Sequence, residues 1–123
     1  MRSFLKIAFI LILSVSISAC KKNQIGGKAS FKGTVKHNDK PIENAYVYIK
    51  FNTSEFPGTD VKKYDTFVQA DANGNFSITF YKGSYYLYAT GLDLDIPFPF
   101  EVSGGLAVNL TAKESVTQNI AVK

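Results

Sequence analysis

From residue 29 to the C-terminus the chain consists of short runs of alternating apolar and polar residues, each closed by turn-forming residues, with no stretch holding apolar positions at helical spacing. That pattern confines the fold to the all-β class. Phe31, Gly33 and Val35 alternate with Lys32, Thr34 and Lys36, after which His37-Asn38-Asp39-Lys40-Pro41 supplies turn chemistry. Further strands are predicted over residues 45–51, 64–70, 76–81, 85–90, 98–102, 106–110 and 116–122, about eight in all. Asn73-Gly74 marks a tight hairpin between two of them, and residues 52–61, with Thr53, Ser54, Pro57 and Gly58, read as a surface loop. Even spacing of this kind predicts a β-sandwich, and 123 residues hold a single domain. No repeat at a period of 20 to 50 residues is present, which excludes a solenoid or propeller.

The first twenty residues, MRSFLKIAFILILSVSISAC, follow a different logic. A basic start with Arg2 and Lys6 leads into an apolar stretch from Ile7 to Ile17, then into small residues, the pattern of a secretory signal. The apolar stretch is well short of the roughly 20 residues that cross a bilayer core. Its end, Ile17-Ser18-Ala19-Cys20, resembles the lipobox of bacterial lipoproteins. The resemblance implies a signal peptide over residues 1–19, cleavage before Cys20, and acylation of that cysteine. Only a thiolate is nucleophilic enough near neutral pH to take the lipid, and Cys20 is the sole cysteine of the chain. Two or three acyl chains would tether the protein stably to a membrane. Residues 20–28 then read as lipidated cysteine plus polar tether, and 29–123 as the folded domain. In lipoproteins an aspartate after the cysteine signals inner-membrane retention; Lys21 stands there instead, which implies the outer membrane. Periplasmic and surface-facing placements both stay open.

A second resemblance runs through the domain. Gly33-Thr34-Val35, the segment Pro41-Ile42-Glu43-Asn44-Ala45-Tyr46-Val47-Tyr48-Ile49, the turn Asp71-Ala72-Asn73-Gly74-Asn75-Phe76 and the strand Lys82-Gly83-Ser84-Tyr85-Tyr86-Leu87 are similar, in order, to the motifs of carboxypeptidase regulatory-like domains of the transthyretin-like superfamily. This implies a single Greek-key β-sandwich of seven or eight strands.

Chemistry is most visible through what the chain lacks. Enzymes that resemble this scaffold use two histidines with two tyrosines to hold iron, or histidines with an arginine and a C-terminal Tyr-Arg-Gly-Ser, whereas His37 is the only histidine and the chain ends Asn119-Ile120-Ala121-Val122-Lys123. No G-x-S-x-G elbow accompanies His37, which reads as a solvated turn residue. Asp71, Asn73 and Asn75 begin like a calcium loop, but Lys82 occupies the position of the bidentate glutamate, and a hairpin turn explains the same residues. Asp93 and Asp95 read as a solvated acidic loop. No catalytic residue, metal site or cofactor is expected. Beyond the signal segment, 12 lysines face 10 carboxylates and no arginine is present, which argues against nucleic-acid binding.

The tyrosines carry the functional expectation. With Ala45, Val47 and Ile49 inward, alternation sends Tyr46 and Tyr48 outward; with Tyr85, Leu87 and Ala89 inward, Tyr86 and Tyr88 point out. The family resemblance makes these strands neighbours, gathering Tyr46, Tyr48, Tyr86 and Tyr88 into one candidate face for an envelope protein or glycan. Alternatively the rings stabilise the sheet or lie beneath the 52–61 loop, and the domain is a spacer with no specific ligand. Ile96-Pro97-Phe98-Pro99-Phe100 reads as an edge strand or a loop entering one.

Overall fold

The structure, a computed structural model, describes residues 21–123; the expected signal peptide over 1–19 and the expected lipidation site Cys20 lie outside the described residues. The described residues hold nine strands, β1 (Ile25–His37), β2 (Lys40–Pro41), β3 (Tyr46–Phe51), β4 (Thr66–Gln69), β5 (Asn75–Phe80), β6 (Gly83–Leu92), β7 (Glu101–Leu110), β8 (Ser115–Thr117) and β9 (Ile120–Ala121), with a 3-10 turn at Val61–Lys63. The fold is all-β and sandwich-like, with two sheets.

In the first sheet the long β1 is the shared spine. Val35 bonds Gly74 and Ile42 along one edge, where β5 and β2 run antiparallel. Ser30, Lys32 and Lys36 bond Glu114, Gln118 and Val122 along the other, where β8 and β9 run parallel. The second sheet has the antiparallel order β4-β3-β6-β7. Lys123 exchanges two backbone hydrogen bonds with Ser103 of β7, so the C-terminal segment stitches the sheets together at one edge.

Strand alternation builds the core between them. Phe31 and Val35 of β1, Phe80 of β5 and Ile120 of β9 meet Val47, Ile49, Tyr85 and Leu87 of the second sheet, all at most 1% exposed. Phe80 packs on Tyr85 at 4.3 Å between ring centroids, and the Tyr85 hydroxyl donates to the Tyr81 carbonyl at 2.6 Å, which satisfies its one polar group. Each such side chain contributes about 1.5–3 kcal/mol through burial.

Three local expectations change. The stretch expected as a tether joins the sheet from Ile25 onward: Asn23 is bonded through its N–H to Lys82 and through its side chain to Ser84, and Ile25 pairs with Phe80 ahead of a bulge. The predicted strands 98–102 and 106–110 are one strand, β7, while residues 96–100 form a turn closed by the Phe100 N–H to the Pro97 carbonyl. Between β8 and β9 the predicted strand 116–122 breaks at Asn119, whose side-chain oxygen accepts from the Thr34 N–H.

Candidate functional site: the outer aromatic face

Register places the four tyrosines. Tyr48 sits opposite Tyr88, Tyr46 opposite Thr90 and Tyr86 opposite Lys50, so all four project from the outer face of the second sheet. Their surroundings differ. Tyr46 is 39% exposed, whereas Tyr88 is 6% exposed and is covered rather than presented.

The cover comes from the loop between β3 and β4. Phe56 folds back onto Tyr86 and Tyr88, 5.5 Å from each, and Tyr64 stacks on Tyr88 at 5.7 Å. Local bonds hold this loop in place. The Asp65 carboxylate accepts from the Phe51 N–H at 2.7 Å, the Tyr64 hydroxyl donates to the Gly58 carbonyl, and Asp60 caps the 3-10 turn through the Lys62 N–H. On the other flank Phe67 of β4 faces Tyr48 across the sheet and packs against both Tyr46 and Tyr48.

Three aromatic members of this face, Phe56, Tyr64 and Phe67, were not anticipated. Phe67 was legible in principle, since its alternation with the core-facing Val68 sends it outward. It is the most exposed ring of the face at 57%, followed by Phe56 at 52%. Beside Tyr46 the face opens into a groove of about 860 Å³ bordered by Glu43, Gln69, Thr90, Leu94 and Glu101. Apolar rings flanked by carboxylates and amides offer both contact area and hydrogen-bonding groups.

Burial pushes the Tyr64 hydroxyl up to about 12, with the neighbouring Tyr86 and Tyr88 hydroxyls adding to the effect. An unfolded tyrosine ionises near pH 10. The folded state therefore keeps a proton that the unfolded chain releases, and the stabilisation present below pH 10 is lost as pH rises to about 12. Chemical denaturation across this interval is expected to show a steeper loss of stability in the wild type than in Tyr64→Phe; equal slopes would contradict it.

At the far end of β6 a polar cluster corrects two expectations. His37 and Asp93 are not solvated. His37 Nδ1 lies 2.7 Å from Asp93 Oδ2, Lys40 Nζ lies 2.7 Å from Asp93 Oδ1, and Lys40 also reaches Asp95. Asp93 is only 4% exposed. Hydrogen bonds from Lys40, His37 and the Asp95 N–H hold its carboxyl well below the usual range, so it clamps the β6–β7 loop to the β1–β2 hairpin as an anion. Among the described residues no hydroxyl hydrogen-bonds to His37; its Nε2 lies 3.5 Å from the Asn38 amide. Sequence alone could not show this cluster, because 56 positions separate His37 from Asp93.

Asp71 spends its Oδ1 on the N–H groups of Asn73 and Asn75, as an Asx turn does. Among the described residues no group of three or more His, Cys, Asp and Glu side chains is placed to hold a metal. The chain matches no protein-family model and no curated protein.

Proposed function

We propose that the protein is a lipid-anchored, non-catalytic binding or accessory module of the bacterial cell envelope, held by Cys20 at the outer membrane, with a Greek-key, carboxypeptidase regulatory-like domain. Its outer aromatic face contacts an envelope protein or a glycan. The observation that carries the binding role is the exposed ring cluster Tyr46, Phe56 and Phe67 beside a groove edged by Glu43 and Glu101. Large exposed apolar residues massed on one sheet face mark interaction sites more often than scattered ones do. Exposed phenylalanine, which has no polar tip, favours a protein over a glycan as partner.

A photo-crosslinking amino acid at position 67 in living cells tests this. One reproducible protein adduct, lost when Tyr46→Ala is added, is the expected result. Phe67→Lys should remove the contact at a stability cost of about 1 kcal/mol, from the lost packing on Tyr46 and Tyr48, and leave the core intact. Absence of any adduct, with no glycan retained by the wild type, would overturn the binding role.

A spacer without a specific ligand is the second reading. What favours it is the fate of Tyr88 and Tyr64, whose rings are used to hold the loop against the sheet.

A further inference from the structure

Lysines scattered along the chain converge at one end of the domain. Lys21 and Lys28 line a concavity with Lys82 of the β5–β6 turn and Lys113 of the β7–β8 turn, over a floor that includes Phe80 and Tyr81. Lys22 is exposed beside them. Lys21 Nζ lies 5.8 Å above the Tyr81 ring, a cation–π contact that directs the start of the described chain across this surface.

None of the five forms an ion pair among the described residues, where the pairs involve His37, Lys40 and Lys50. Residues 1–20 contain no Asp or Glu that could neutralise them. Three carboxylates lie toward this end: Glu114, which accepts from the Thr111 N–H and hydroxyl, Asp65, which pairs with Lys50 and accepts from the Phe51 N–H, and the exposed Glu55 just beyond β3, so the five lysines stay in excess. The opposite end is acidic. Asp39, Glu43, Asp93, Asp95 and Glu101 lie there and outnumber Lys36, Lys40 and Lys123, and the ten residues of β6 set the two ends about 30 Å apart.

We propose that the lysine end is a docking surface for the phosphate-bearing head groups of an anionic membrane, the same membrane that holds the Cys20 lipid. The inference rests on the anchor put forward above and adds an orientation to it. Lys21 directly follows Cys20, so the acyl chains and the basic surface enter the bilayer interface at one place. An anchor at this position raises the local concentration of head groups to the millimolar range, and a patch of modest intrinsic affinity then suffices. Each lysine near an anionic surface adds roughly fivefold to the bound population, and the effect decays within a Debye length. Repulsion of the acidic end acts in the same sense. The domain stands upright, with the groove beside Tyr46 and Leu94 facing away from the bilayer.

The full-length lipidated protein, reconstituted in vesicles, provides the test. One set contains phosphatidylethanolamine with phosphatidylglycerol, the other phosphatidylcholine alone. Lysine acylation by an activated ester, read by peptide mass spectrometry, should label Lys28, Lys82 and Lys113 about fivefold less on the anionic vesicles at low salt. Lys36 and Lys123, toward the opposite end, should label equally on both. The protection should vanish at about 1 M NaCl, where the Debye length falls to about 3 Å. In K28Q/K113Q, Lys82 should lose its protection while the protein stays vesicle-bound.

Equal labelling on both vesicle types, with the protein still floating with them, would overturn the docking surface and leave the anchor intact. Absence of acyl groups on Cys20, together with failure to float with phosphatidylcholine vesicles at high salt, would overturn the anchor and this orientation with it.

Discussion

Gly33→Ala is expected to destabilise the domain by roughly 3 kcal/mol, the upper range for overpacking a filled interior. Glycine inside a strand ordinarily costs stability relative to alanine, so intrinsic preference favours the substitution by about 0.5–1 kcal/mol. Packing reverses that sign. A Cβ built at Gly33 would lie 1.9 Å from the Gln118 carbonyl oxygen and 2.7 Å from its carbon, backbone atoms with no rotamer to change. Gln118 in turn donates its N–H to Lys32, and Asn119 accepts from Thr34, so the connection cannot withdraw without giving up bonds on both sides of the contact. Gly104 makes the matching approach in the other sheet, 2.2 Å from a would-be Cβ to the Ala121 carbonyl oxygen. Two bare positions, one in each sheet, thus admit the C-terminal segment that joins them. The melting temperature of Gly33→Ala should fall by roughly 10–20 °C. Hydrogen exchange should speed up first over residues 115–123. A melting temperature equal to wild type would contradict the close approach.

The same glycines explain where the sequence was misleading. Residues 103–105 fall between two predicted strands, yet β7 runs through Gly104 and Gly105, and the bare Gly104 gives the C-terminal backbone the space it needs. Gly26-Gly27 reads as a flexible tether; in the structure both have positive φ and form the bulge that lets β1 begin beside Tyr81. Where alternation was strong the inference held. Ala45, Val47 and Ile49 face inward with Tyr85, Leu87 and Ala89, and the Asn73-Gly74 step forms the hairpin turn, because period-two patterning and positive-φ residues act locally. Long-range pairs left no local trace. The partnership of His37 with Asp93, the fold of Phe56 onto Tyr88, and the convergence of Lys28, Lys82 and Lys113 each depend on strand order. Tyr46 and Tyr88, equivalent by alternation, differ in exposure for the same reason, since only Tyr88 lies under a loop whose path its own strand does not encode.

Cys20→Ser is expected to abolish maturation altogether. Serine matches cysteine in size and polarity, so a signal peptide read only by its small residues would still be cut. On the proposed reading lipid transfer would depend instead on sulfur, because a serine hydroxyl without an adjacent base is a poor nucleophile near neutral pH where a thiol is partly ionised. The chain has no second cysteine to take over the role. The variant should therefore retain residues 1–19, carry no label from radioactive palmitate, and run as a single larger precursor. Membrane association is the wrong readout for this step, since an uncut apolar segment from Ile7 to Ile17 can itself hold the chain at the bilayer. Precursor length and acyl content separate the two cases. Cleavage of Cys20→Ser after Ala19 at the wild-type rate would turn the signal into an ordinary secretory one and leave the basic end as the sole, salt-sensitive link to the membrane. Stable attachment takes two signals, and on the proposed reading Cys20 would supply the first and the concavity lined by Lys21, Lys28, Lys82 and Lys113 the second.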